Sequence, residues 1–308
     1  MTPHSPTRAA VATPANATRP RTVLLLGFGA VGRAVAAGLA PERDAGRVRV
    51  TAAVRDVAAH RARGDLGVRL VPLGDPDDPA AGLPAADLVV ECAGIVPARR
   101  LGPAVVARGT DLVLSSVGAL ARPEAAEALL AGPGRLHVTN GAIGGFDVLE
   151  AAAEADGLDE VRIRSVKHPR GLVRPWMSPA EAARLEGLRP EDGPVVVLEG
   201  DPAEAVERFP ANVNVAVALA WATRGRPTGP GDDDAALLAR SLERVRVELV
   251  ADAAAERTRH EVTAAGPAGR IELAVTSAPS PDNPRTSQLT ALSVTRTVRR
   301  ALGLTPGG

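Results

Sequence analysis

Four apolar residues, Val23 to Leu26, run directly into Gly27-Phe28-Gly29-Ala30-Val31-Gly32, and the stretch that follows, 31–39, carries its apolar positions at helical spacing. A short apolar run closed by glycine reads as a buried strand, and the 3.6-residue period after it as an amphipathic helix. The alternation continues. Residues 49–54, 68–72, 88–91, 111–115 and 136–139 are short strand-like runs, and 103–107 and 123–130 between them have helical composition. Strands alternating with helices predict a parallel sheet with crossover helices, so 21–145 reads as an α/β Rossmann dinucleotide-binding domain.

Beyond Gly145 the pattern changes. Residues 160–167 and 194–198 predict strands, 202–209 a short helix, and 213–222 a helix apolar on nearly every side, which must be buried. The stretch 223–234, rich in Gly, Pro and Asp, reads as a solvated insertion, after which 244–251 and 270–277 return to strand character. Residues 146–286 are therefore expected to form an α+β domain with a mixed sheet and helices on one side. The end of the chain, 287–308, predicts a helix that packs back on the nucleotide domain. Residues 1–20 have no continuous apolar core and read as a disordered leader rather than a secretory signal.

Composition narrows the function classes. The 36 basic residues balance 36 acidic ones, with no basic stripe to suit nucleic acid or an anionic membrane surface. A small-molecule substrate is the expectation. No apolar run reaches the roughly 18 residues of a membrane span. Cys92 is the only cysteine, which excludes an internal disulfide and fits a reducing, cytoplasmic setting. No spacing of His, Cys and carboxylates resembles a metal site. Lys167 is the only lysine among the 36 basic residues.

The glycine pattern carries its own mechanism. Gly27 makes the turn, Gly29 lets the backbone approach a pyrophosphate, Gly32 lets helix pack on strand, and the helix start, Ala30 and Val31, aims amides at the anion. The second strand ends Val54-Arg55-Asp56, with Arg55 where an NAD-selective site carries its acid. Arg55 can take a 2′-phosphate, or the pair can be a surface turn; NAD or NADP is the expected cofactor.

Four further segments stand out together: Ser115-Ser116-Val117-Gly118-Ala119-Leu120, Gly141-Ala142-Ile143-Gly144-Gly145-Phe146-Asp147, Asn212-Val213-Asn214-Val215-Ala216, and Pro281-Asp282-Asn283-Pro284-Arg285-Thr286-Ser287. With the glycine turn, Lys167-His168-Pro169-Arg170 and 252–261, they make 21–304 resemble the L-aspartate dehydrogenase family. The resemblance implies reversible, nicotinamide-dependent oxidative deamination of L-aspartate to iminoaspartate, which hydrolyses to oxaloacetate and ammonia or feeds quinolinate synthesis. It also implies that His260, followed by Glu261, is the catalytic histidine, and that Ala142 and Asn214 contact the cofactor. A homo-oligomer, most simply a homodimer, is expected. Two positions depart from the family pattern: Ala253 stands where a proline follows Asp252, and Thr258 where an asparagine precedes the histidine by two.

Physical chemistry runs parallel to these assignments. Turning an amine into an imine moves protons as well as a hydride, and a histidine titrating near neutrality suits the proton steps. His168 competes with His260 for that role. Two substrate carboxylates call for cations, and Lys167, Arg170 and Arg285 are the candidates, each equally readable as a salt-bridge partner. Asn214 can orient a carboxamide or cap the apolar helix after it. The 141–145 loop can offer amides to a ligand or serve as a hinge. Another dehydrogenase of homoserine-dehydrogenase-like build and a catalytically silent dinucleotide sensor are the rival readings.

Overall fold

The computed structural model describes residues 19–62, 64, 67–74, 82–210, 213–281 and 283–304, the side chains of Pro284 and Arg285 excepted. The leader expected at 1–20 thus lies almost wholly outside the described residues. Along the first half run β1 (Arg21–Leu26), α1 (Ala30–Gly38), α2 (Ala40–Asp44), β2 (Val48–Val54), α3 (Val57–Arg61), β3 (Arg69–Pro72) and β4 (Leu88–Glu91). Then come α4 (Ile95–Ala107), β5 (Asp111–Leu114), α5 (Pro123–Leu130) and β6 (Leu136–Val138). Their strands form one parallel sheet in the order β3-β2-β1-β4-β5-β6.

In a strand successive side chains point to opposite faces, and β1 is buried on both. Val23 and Leu25 pack with Val35, Ala36 and Leu39, whereas Leu24 and Leu26 join the core that holds Leu101, Val105 and Leu129. Helices therefore cover both faces. Because the chain proceeds from β1 outward to β3 and then returns to β4, the strand order reverses between β1 and β4, and a crevice opens beyond their carboxyl ends.

The second half holds α6 (Phe146–Glu154), β7 (Glu160–Lys167), α7 (Pro179–Glu186), β8 (Val195–Gly200), α8 (Pro202–Arg208), α9 (Asn214–Ala222) and α10 (Asp234–Arg244). It continues with β9 (Val245–Ala251), β10 (Thr258–Gly266), β11 (Gly269–Ser277), β12 (Pro279–Ser280), β13 (Asn283–Ser287) and α11 (Gln288–Ala301). Five strands form a mixed sheet, β11-β10-β7-β9-β8, parallel only between β7 and β9. β12 and β13 make a small ribbon. Helix α9 is buried along Val215–Ala220 and joins the core behind the sheet through Val217 and Leu219. The opposite face carries a charged ladder in which Arg164 bonds both Glu248, at 2.8 Å, and Glu261, at 3.2 Å.

The structure holds elements that the sequence pattern does not predict, among them the short helices α2 and α3 and the ribbon β12–β13. Helices α6, α7 and α10 and strand β10, which carries His260, are further elements without a sequence prediction. Helix α4 begins at Ile95 rather than at 103 and carries Pro103 in its interior. A proline in a helix interior removes one hydrogen bond and disfavours the turn before it, so local propensity points to a break that packing overrides here.

Helix α11 lies against the nucleotide sheet. Val294 and Val298 enter the core of Leu25, Val35 and Leu39, and Arg299 donates to Glu42 Oε1 and to the Gly38 carbonyl, both at 2.6 Å. Glu42 is buried, and its bond to Arg299 holds its carboxyl below the usual range. Removing one partner of such a pair leaves a charge desolvated and unpaired. Arg299→Ala is therefore expected to cost about 3 kcal/mol, read as a lower midpoint in urea unfolding followed by circular dichroism. An unchanged midpoint would show that this anchor is dispensable.

Candidate active site

The glycine turn shows three separate reasons for glycine. Gly27 has φ +90°, and a Cβ there would sit 3.0 Å from Ala93 Cα and the Cys92 carbonyl. A Cβ on Gly32 would lie 2.5 Å from the Gly27 carbonyl oxygen, so helix and turn touch backbone to backbone. Gly29 is different. Nothing lies within 4 Å of a Cβ built there, and it is the N-cap of α1 with no side chain capping the helix and no acid in its first turn. Open space before uncapped amides is the cradle a pyrophosphate requires, so the residues present fit a dinucleotide.

Beside the turn, Glu91 braces the crevice from within. Its carboxylate is fully buried and accepts from the Ala93 and Gly94 amides at 2.7 and 2.8 Å and from the Ser116 amide and hydroxyl at 2.9 and 3.1 Å. Burial outweighs these bonds and holds its pKa above the ordinary carboxylate value. Burial and Glu91 likewise push the Cys92 thiol well up, which keeps it protonated and argues against a nucleophile.

A cleft of about 330 Å³ opens in front of these residues, bringing together Ala30 and Val31 of the turn, Ala142, Asn214, Lys167 and His260. Asn214 is the first residue of α9, not its cap; its Oδ1 accepts from the Gly118 amide at 2.9 Å. An amide N–H can only donate, which fixes the carboxamide with Oδ1 on Gly118 and leaves Nδ2 as the group not used by that bond.

His260 stands in β10 directly across from Ser165 in β7, and its Nδ1 lies 2.8 Å from Ser165 Oγ. It is 3% exposed. The near-neutral titration expected from the sequence does not hold, because burial and then the charge of Lys167 lower its pKa to about 3. Lys167, the last residue of β7, is itself lowered to about 8 by burial and Arg174. The imidazole is thus neutral at working pH, and Lys167 is the titrating group beside it.

A histidine buried neutral binds its proton less well folded than unfolded. Its contribution to stability is present above the unfolded value near 6.5, and is lost as pH falls from there toward 3. We expect the thermal midpoint of the parent protein to fall more steeply over that acid range than that of His260→Gln. Parallel midpoint profiles for the two proteins would remove His260 as the linked group.

The other histidines are placed differently. His168 is exposed and caps a short 3₁₀ turn, accepting from the Arg170 amide at 3.3 Å. His137 pairs with Asp111 at 2.9 Å on β6, and the His60 ring packs 6.2 Å from that of Phe28. Arg55 lies exposed at the end of β2, outside the cleft, while the Asp56 carboxylate is engaged by the Ala59 amide at 2.8 Å as the cap of α3. Arg170 is exposed and lines an adjoining cavity. The Arg285 side chain lies outside the described residues. Ser165 and Glu91 were not singled out by sequence reasoning. Only the strand register brings Ser165 under the imidazole, and only the fold turns the Glu91 carboxylate inward.

A depression of about 410 Å³ on the bare face of the second sheet is lined by the charged ladder and shares no residue with the glycine turn. The cleft is therefore the site. Among the described residues no group of His, Cys, Asp and Glu could hold a metal ion, and no helix is long and apolar enough to cross a membrane.

Fold and cleft together define a two-domain protein of dinucleotide-dependent dehydrogenase build. Residues 147–301 match the family model described as the C-terminal domain of aspartate dehydrogenase, and 27–134 that of the NAD binding domain of homoserine dehydrogenase. The L-aspartate dehydrogenase of Brucella anthropi is 33% identical over 291 residues, 92% of this chain and 97% of that protein. That of Ruegeria pomeroyi is 34% identical over 286 residues, 90% and 91% of the two chains. The crystal structure of aspartate dehydrogenase from Thermotoga maritima superposes with a TM-score of 0.63 at 24% identity, covering 94% of this chain and 98% of that one, and shares the fold. The chain belongs to the L-aspartate dehydrogenase family.

Proposed function

We propose that this protein catalyses the reversible NAD(P)-dependent oxidative deamination of L-aspartate to iminoaspartate, which hydrolyses to oxaloacetate and ammonia. The observation that carries the reading is the convergence, in one cleft, of the start of α1, Ala142, Asn214 and His260 from separate parts of the chain. When bound, the nicotinamide supplies the hydride chemistry. Gly29 and the first turn of α1 hold the pyrophosphate, and Asn214 Nδ2, oriented by the bond to Gly118, donates toward the carboxamide. Glu91 keeps the 92–94 and 115–116 segments in register behind it.

His260 moves the protons. As a base its free lone pair must be on Nε2, which requires Nδ1–H to donate to Ser165 Oγ; the 2.8 Å contact accommodates that tautomer, the serine hydroxyl acting as acceptor. An arriving carboxylate offsets the repulsion from Lys167 and raises the affinity of the imidazole for a proton. Lys167, as a cation, attracts the substrate carboxylates, and Arg170 and Arg285 are assigned as further partners.

Arg55 is proposed to pair with a 2′-phosphate, since Asp56 is committed to its cap and Arg55 is exposed beside it. Arg55→Asp is then expected to weaken NADPH binding about tenfold or more while NADH binding holds or improves, measured as dissociation constants by nucleotide fluorescence. Equal changes in both constants would remove Arg55 as the discriminator.

A cytoplasmic setting and a homodimer complete the reading. The bare face of the second sheet, with its interleaved Arg and Glu, suits a second copy of the same chain, and sedimentation of Arg164→Glu against the parent tests it. The rival homoserine-type dehydrogenase is not favoured, since the domain that carries His260 matches the aspartate family. The deciding experiment follows NADH and NADPH oxidation with oxaloacetate plus ammonia. Oxidation there and none with homoserine-pathway aldehydes or small keto acids supports aspartate; the reverse pattern overturns it.

A further inference from the structure

A second cavity, of about 380 Å³, adjoins the cleft, and the two share Lys167, Thr258, Thr286 and Ser287. Its floor is a row across the mixed sheet. Thr258 of β10 stands opposite Ser277 of β11, and Lys167 follows Ser165 by two residues on β7. Side chains two apart share a face, so Lys167, Thr258 and Ser277 project from the same side of the sheet as Ser165 and His260. At the usual strand rise this row lies about 7 Å from the Ser165–His260 pair.

Ser277 is the informative member. It is 2% exposed, and its hydroxyl has no hydrogen-bond partner among the described residues. A buried hydroxyl left so is destabilising, and in a cavity wall it calls for a ligand atom. The surroundings say which kind. Lys167 is cationic below about 8, Arg170 and Arg257 stand exposed on the rim against the single carboxylate of Glu256, and α11 begins at the wall with Ser287 as its cap. Donors, positive charge and a helix N-terminus converge on an acceptor that is anionic.

We propose that this cavity is the subsite for the second carboxylate of a four-carbon dicarboxylate substrate, with Ser277 donating to it and discriminating it from a monocarboxylate. The inference rests on the aspartate reading of the His260 cleft and adds to it the residues that recognise chain length and charge. A substrate whose reacting carbon lies at His260 and whose far carboxylate lies on the Lys167, Thr258 and Ser277 row spans the two cavities. The Thr258 departure from the family pattern falls inside this subsite.

The test uses the full chain saturated with nicotinamide nucleotide and two unreactive probes, succinate and butyrate, titrated calorimetrically. The parent is expected to bind succinate at least tenfold more tightly than butyrate. Ser277→Ala should weaken succinate by about tenfold, the scale of one hydrogen bond to a charged group, and leave butyrate unchanged. Ser277→Thr, which keeps the hydroxyl, should restore the preference, and Thr258→Val provides an independent variant on the same row. Absence of a succinate preference in the parent, or equal weakening of both probes in the variants, overturns the proposal. The two readings fail separately. A preference that depends on Ser277 without turnover of oxaloacetate and ammonia sinks the aspartate reading alone, and turnover with no role for Ser277 sinks the subsite alone.

Discussion

Replacing His260 with alanine is expected to lower turnover by about a hundred- to ten-thousand-fold while NAD(P) affinity stays near that of the parent, the range general acid–base catalysis supplies. The imidazole lines the cleft, is braced by Ser165 at 2.8 Å, and is kept neutral by burial, so it is ready to accept a proton without first losing one. The proposed nucleotide contacts are made by other residues. His168→Ala is the control, because that ring is exposed and caps a turn. The pH profile separates the two groups further. Substrate affinity should decline above about 8, where Lys167 loses its charge, and this limb should persist in the residual activity of His260→Ala. A small loss at His260 with a large one at His168 would reassign the base.

Gly29→Asp is expected to raise the dissociation constant for NAD(P) by about a hundredfold or more without lowering the thermal midpoint, an effect set by a carboxylate placed against a pyrophosphate at a helix N-terminus. The position is the N-cap of α1, with φ −78° and ψ −158°, backbone that aspartate adopts readily as a cap. A side chain there meets no protein atom within 4 Å of its Cβ. The substitution thus favours the helix and excludes its ligand, so stability and binding move apart. Gly32→Ala gives the contrasting case, since its Cβ would meet the Gly27 carbonyl oxygen at 2.5 Å and both properties should fall. A loss of stability in Gly29→Asp equal to that in Gly32→Ala would remove the distinction.

The parallel sheet, the glycine turn and the buried helix α9 were readable from the chain alone because each is a local pattern: apolar runs, a spacing of glycines, and a helix with no polar face. His260 itself came from motif resemblance, since nothing in its neighbourhood of the sequence separates it from the other four histidines. Strand β10 lacks a clear period-2 signal because two of its four inward positions are polar, Thr258 and His260, which leaves only Val262 and Ala264 to mark the buried face. Helix α4 was truncated at Pro103, where a backbone rule was overruled by burial of Leu101 and Val105.

What the sequence by itself determined is the class of cofactor and the glycine turn proposed to hold it, because a pyrophosphate is recognised by backbone within a few consecutive residues. What only the tertiary structure decided is everything that depends on residues distant along the chain meeting across strands. The register of β7 against β10 sets Ser165 under His260, and that of β10 against β11 sets Ser277 beside Thr258. Burial then moves the titrations. A histidine with an ordinary value near neutrality is carried to about 3 by burial and the neighbouring Lys167, and that lysine to about 8 by burial and Arg174, because desolvation and like charge both disfavour the cation.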